Sequence, residues 1–179
     1  METVEVKPLS DINNIKALSP FVTKVIGLDL SGNMVIEYNK HARAAGHPPE
    51  KMFAQQRNLL ETEIPEHLRD PEYLNFDLVT VGLALHHFED PAFAVKRLSE
   101  RLRRGGVFLA IDFVEHSLEP GSHGTVTTGG FGRESLRRMF DDAGVGSGFD
   151  FVVAAKPLVF TIEGKTRERS FFLARGERV

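Results

Sequence analysis

Cysteine is absent from the 179 residues. This excludes disulfide bridges and zinc–thiolate sites. No apolar run approaches the roughly 20 residues of a membrane-spanning helix. The opening METVEVKPLS has neither a basic start nor an apolar core, so it does not read as a signal peptide, and a cytoplasmic location is expected. An excess of charge is also lacking. A net charge of −3 gives no electrostatic reason to expect a nucleic acid or an acidic membrane as partner. There are no internal repeats and no low-complexity tracts. Residues 1–17 contain no glycine, an absence that bears on the function considered below.

What is present suffices for one α/β domain over 1–179, burying roughly 70% of its unfolded surface. Its centre is KVIGLDLSGNM, residues 24–34. Val25-Ile26-Gly27-Leu28 is a short apolar run, the pattern of a strand buried on both faces. It ends in Asp29, which places a carboxylate at the carboxyl end of a strand, where open α/β sheets bind ligands. Such a carboxylate can accept two hydrogen bonds from a ribose diol, each worth roughly 1.5–3 kcal/mol. The alternative is that Asp29 only assists the cap of the following helix. Ser31 is the N-cap residue of that helix, expected over 31–45 with Met34, Val35, Tyr38 and Ala42 on one face.

Elsewhere, Thr3–Lys7 alternates like a short strand, and 51–56 reads as another with Met52 and Ala54 on one side. Phe76–Leu85 is a buried strand, followed by His86-His87. Asp90-Pro91 starts a helix expected to run to about Arg104, stopped by Gly105-Gly106. Arg97, Arg101, Arg103 and Arg104 would form its solvated face, with the last arginines complementing the helix dipole. Val107–Phe113 is a third strong strand, 115–130 a long loop, and Glu134–Ala143 a helix. Phe149–Ala154 and Arg169–Ala174 are strands expected to pair antiparallel across a turn at 161–165, because no helix separates them. Strand–helix alternation with buried strands predicts a doubly wound, mostly parallel sheet closed by an antiparallel hairpin.

Gly27-Leu28-Asp29-Leu30-Ser31 with Met34, then Asn58-Leu59-Leu60, FDLVTVGLALHHFEDP, RLRRGGVFLAIDF and GFGRESLRRMFDDAG follow in an order that resembles the class I S-adenosylmethionine-dependent methyltransferases of small-molecule type. The likeness covers about residues 18–175. It implies a Rossmann-like sheet of seven strands, the last antiparallel, with S-adenosylmethionine as cofactor and a small-molecule methyl acceptor. It also implies roles for matching positions. Asp29 would bind the ribose hydroxyls, and Leu30 and Met34 would pack on the adenine. Asn58 and Leu59 would flank the adenine edge, while Gly82 and Leu83 would face the methionine part. His87 would border the transferred methyl, and the 115–130 loop would form part of the acceptor site.

The resemblance also implies a glycine-rich turn after the first strand and covering helices before it. Residues 1–17 offer neither. Loss of two or three backbone hydrogen bonds at about 1 kcal/mol each would weaken cofactor binding roughly 30- to 150-fold. This atypical N-terminal segment is expected of a truncated product or a degenerate member, with Thr3–Lys7 as candidate for the first strand. A non-catalytic protein acting through association is the competing expectation.

Adjacent strand residues point to opposite faces, so His86-His87 is not expected to chelate a metal. His87 suits a general base, since free imidazole titrates near 6.5; capping or packing at the ligand rim is its structural alternative. His116 and His123 have equal claims on the long loop. Gly129-Gly130-Phe131-Gly132 follows a loop rather than a strand, so it reads as a turn before a helix and not as a phosphate loop.

Overall fold

The computed structural model describes residues 2–6, 19–117, 127–162 and 165–179. Nine strands and three α-helices are present among them. These are β1 (Glu2–Val6), β2 (Lys24–Asp29), α1 (Gly32–Ala44), β3 (Met52–Gln56), β4 (Phe76–Gly82) and α2 (Pro91–Ser99). They continue with β5 (Leu102–Phe113), α3 (Arg133–Asp142), β6 (Ser147–Val153), β7 (Leu158–Ile162), β8 (Lys165–Arg169) and β9 (Phe171–Glu177). Seven strands form one sheet in the order β3-β2-β1-β4-β5-β9-β6.

β1 lies inside the sheet, parallel to β2 on one side and β4 on the other. The N-terminal alternation thus fills the first-strand position. From β1 the chain winds outward to β2 and β3, then returns to β4 and β5 on the other side. The strand order reverses between β1 and β4, which creates a crevice at the carboxyl ends of the strands. β9 is antiparallel to both β5 and β6. The expected antiparallel pairing of the two C-terminal strands is present, but β9 inserts between β5 and β6. The segment between them is not a simple turn, because β7 and β8 form a separate two-stranded sheet.

Both faces of the sheet are covered. Ile26, Leu28, Phe76, Val79, Val81, Phe108 and Ala110 join Leu98 of α2 and Leu136 and Phe140 of α3 in the larger core. On the other face Val25, Met52 and Ala54 pack with Tyr38 and Ala42 of α1. Burial on both faces explains why β2 and β4 read as continuous apolar runs. Asn39 of α1 reaches the outer edge of β3. Its Oδ1 accepts the Ala54 N–H at 2.8 Å and its Nδ2 donates to the Ala54 carbonyl at 2.9 Å. This satisfies backbone groups that an edge strand would otherwise leave unpaired.

Two element boundaries depart from the sequence expectations. β4 ends at Gly82 rather than Leu85. Leu83 turns to a left-handed φ of 52° while its N–H donates to the Ile111 carbonyl at 2.7 Å, and Leu85–His87 is a single 3₁₀ turn. The second helix ends at Ser99, not near Arg104, because Leu102 pairs with Phe76 and already belongs to β5. Gly105, at φ 70°, and Gly106 form a bulge within that strand instead of a helix stop. A Cβ on Gly106 would lie 2.9 Å from the Arg103 and Phe76 carbonyl oxygens, so only glycine fits the bulge.

The arginines are accordingly not a solvated helix face. Arg101 is buried and its Nη1 donates to the Leu68 carbonyl at 3.0 Å. Burial lowers its guanidinium below the usual arginine range, and neighbouring Glu100 works against that shift. Arg97 donates to the Thr62 carbonyl at 2.7 Å, and Arg103 pairs with Asp77 at 2.7 Å.

Candidate functional site

The crevice at the reversal of strand order has a volume of about 170 Å³. Leu28, Asp29 and Leu30 reach it from the tip of β2; Arg57, Asn58, Leu59 and Leu60 follow β3; Ala84, His87 and Phe88 follow β4; Leu98 comes from α2. Five of the predicted residues are therefore brought together: Asp29, Leu30, Asn58, Leu59 and His87.

Asp29 does two things. It lines the crevice, and its Oδ1 accepts the Ser31 N–H at 2.7 Å. Ser31 in turn caps α1 by accepting the Met34 N–H at 3.4 Å. The contact is the one the capping reading expects, and the same residue stands on the crevice wall. Two hydrogen bonds hold the main chain here: the Arg57 N–H donates to the Asp29 carbonyl at 3.0 Å, and the Gln56 side-chain Nε2 donates to the Leu30 carbonyl at 2.9 Å. Leu30 is 61% exposed at the rim. Asn58 Oδ1 accepts the Leu60 N–H at 2.9 Å, an Asx-turn that shapes the segment after β3.

Three predicted residues lie elsewhere. Met34 packs against the α1 core with Val22, Val25 and Tyr38, because the first turn of α1 points it at the sheet. Gly82 and Leu83 do not line the crevice. They form the tip of β4 behind Ala84, and the left-handed turn at Leu83 carries Ala84 and His87 to the crevice wall.

A second constellation adjoins the first. Asp112, in β5, is fully buried, and His86 is 6% exposed. His86 Nδ1 lies 2.6 Å from Asp112 Oδ1, and the His86 backbone N–H donates to Oδ2 at 3.2 Å. The 3₁₀ turn brings the His86 ring to 4.0 Å from that of His87, tilted by 40°, rather than onto the opposite face as strand geometry would require. Among the described residues no group of three or more histidines and carboxylates could hold a metal. Sequence reasoning did not single out the His86–Asp112 pair. The signal was available: a carboxylate in the apolar run VFLAIDF must find a partner when buried.

The far side of the loop is tied down as well. Thr127 Oγ1 donates to the Phe88 carbonyl at 2.7 Å, and the Phe131 N–H donates to the Phe113 carbonyl at 2.9 Å. Gly130, at φ 94°, permits this contact, since a Cβ there would stand 2.4 Å from the Phe113 oxygen. Residues 118–126, with His123, lie outside the described residues, as do 7–18, where the glycine-rich turn was expected.

The crevice combines a strand-tip carboxylate with the leucines 28, 30 and 59, a donor set that fits a nucleoside: an acceptor for sugar hydroxyls beside an apolar wall for a base. No helix among the described residues is long and apolar enough to cross a membrane.

Known proteins give the same picture. A family model described as a methyltransferase domain matches residues 11–108. An uncharacterized methyltransferase of Schizosaccharomyces pombe is 25% identical over 178 residues, covering 90% of this chain and 62% of its own length. The uncharacterized methyltransferase YcgJ of Bacillus subtilis is 31% identical over 96 residues, 54% of this chain and 34% of its own. The chain thus spans less than two thirds of the length of both relatives. In three dimensions the crystal structure of YcgJ superposes with a TM-score of 0.73 at 16% identity, covering 98% of this chain and 91% of that one. A geranyl diphosphate methyltransferase in complex with S-adenosylmethionine gives 0.72 at 17% identity, covering 99% of this chain and 78% of that one. The chain belongs to the methyltransferase-domain family and has the fold of the class I S-adenosylmethionine-dependent methyltransferases.

Proposed function

We propose that the chain binds S-adenosylmethionine in the β2–β4 crevice and transfers its methyl group to a small-molecule acceptor. The observation that carries this reading is the Asp29 carboxylate, held at the tip of β2 on the wall of the crevice. When bound, the cofactor supplies an electrophilic methyl on a positively charged sulfur. Asp29 accepts the ribose hydroxyls, and Leu28, Leu30 and Leu59 pack on the base. Asn58 and Arg57 border the same end, and the tip of β4 at Gly82-Leu83 supports the opposite wall.

His87 stands at that wall and takes the proton of the acceptor. Holding the acceptor in line with the methyl and excluding water supplies most of the rate. A small acceptor is favoured over a nucleic acid because Arg97, Arg101 and Arg103, from the densest basic run, are bonded to the protein's own carbonyls and to Asp77. The loop at 115–130 adjoins the acceptor side, since its described ends bond to the chain after β4 and to β5.

Calorimetry with S-adenosylhomocysteine tests the reading. Saturable heat that weakens in Asp29→Ala is expected; no heat at millimolar ligand would overturn it.

A further inference from the structure

We infer that the methyl acceptor is a flat aromatic molecule with an acidic hydroxyl, a phenol in chemical class, stacked on a wall made by Phe113, His116 and Phe160. This deepens the methyl-transfer reading and rests on it.

The wall begins at the crevice. His87 lines it, and the His86 ring lies 4.0 Å from His87. Phe113, the last residue of β5, is 5.1 Å from His86. His116 meets Phe113 edge-on at 6.2 Å, and Phe160 of β7 tilts over it at 6.1 Å and 35°. Five rings therefore run without a break from the crevice to the β7–β8 hairpin. Phe113, His116, Phe160 and His87 are each only half-buried. The hairpin belongs to a separate sheet, so the packing of the main core does not require Phe160 to sit there.

Partly exposed rings spaced in this way favour another ring. Aromatic pairs prefer tilted and edge-to-face arrangements at about 4.5–7 Å, worth about 0.5–1.5 kcal/mol beyond burial. The base fits the same class. A phenolic hydroxyl titrates near 10, within reach of an imidazole, whereas water, as a measure of an unactivated hydroxyl, lies near 15.7. In the transfer, the acceptor oxygen bonds to the methyl carbon as the carbon–sulfur bond breaks, and the sulfur leaves as a neutral thioether. The hydroxyl proton passes to His87, so the positive charge moves from sulfur to imidazolium and is conserved.

The chain has no tryptophan, so the fluorescence of 2-naphthol can be followed without an indole background. The probe is titrated with the protein, with and without S-adenosylhomocysteine, and challenged with its fully saturated alcohol. Saturable binding is expected, about tenfold weaker in Phe160→Ala, retained in Phe160→Tyr, and about tenfold weaker for the saturated alcohol. Absence of saturable binding, unchanged binding in Phe160→Ala, or equal competition by the saturated alcohol overturns the inference. Phe160 is outside the crevice, so the heat of S-adenosylhomocysteine binding is unchanged in its variants; absence of that heat in the unmodified chain, with saturable 2-naphthol binding intact, overturns the functional reading and leaves the aromatic wall standing.

Discussion

Asp112 and His86 form one buried unit. The carboxylate accepts the imidazole Nδ1–H at 2.6 Å, the His86 backbone N–H at 3.2 Å and its own neighbour's N–H, that of Phe113, at 2.7 Å. Three donors converge on a side chain with no exposure. One group thus holds the tip of β5, the turn after β4 and the ring behind His87. Asp112→Ala strands these donors in the interior, and a loss of about 3 kcal/mol or more is expected in urea unfolding. In a double-mutant cycle with His86→Phe, a coupling of about 1–3 kcal/mol is expected. Additive losses would show that the two side chains do not act together.

Asp29 lines the crevice and supports the turn into α1, and two substitutions separate its proposed ligand role from its structural one. Ser31→Ala removes the cap alone. It is expected to cost about 1 kcal/mol of stability and to leave S-adenosylhomocysteine affinity within twofold. Asp29→Ala is expected to lower that affinity by about 1.5–3 kcal/mol, roughly tenfold to 150-fold. Equal affinity losses in the two variants would reduce Asp29 to a capping residue.

Arg101 and Arg103 are near neighbours in sequence but differ in burial. Arg101 bonds the buried Leu68 segment, whereas Arg103 holds Asp77 with half its side chain in water. Exposed pairs contribute about 0–1 kcal/mol, and stranding a buried carbonyl costs about 1–3. Arg101→Ala is therefore expected to unfold at clearly lower denaturant than Arg103→Ala. Similar midpoints would contradict the assignment of Arg101 as an internal clamp.

Leu83 carries a left-handed backbone at the end of β4. An L-residue pays about 1–2 kcal/mol for that conformation, and glycine does not. Leu83→Gly is expected to be more stable than Leu83→Ala by about 1 kcal/mol, the reverse of the usual order in regular structure. Thermal unfolding of the two variants decides the point.

The sequence by itself determined the elements that bury apolar surface on a regular period. β2, α1 and α3 were legible to within two residues, because Val25–Leu28 and the faces of Tyr38/Ala42 and Leu136/Phe140 leave little choice of structure. It also placed Asp29, since a carboxylate that closes an apolar run has one position available. What tertiary structure decided were the places where pairing overrides local preference. Leu102–Arg104 would continue a helix on propensity, but Phe76 offers a strand partner and the two glycines that follow absorb the mismatch. The run through Leu85 would continue a strand, but Leu83, its amide bonded to Ile111, takes a left-handed φ and the chain turns, bringing two adjacent histidine rings into tilted contact. The Asp112–His86 bond joins residues 26 apart and depends on how β4 and β5 align. Such contacts arise from register across the sheet, which no local pattern of side chains encodes.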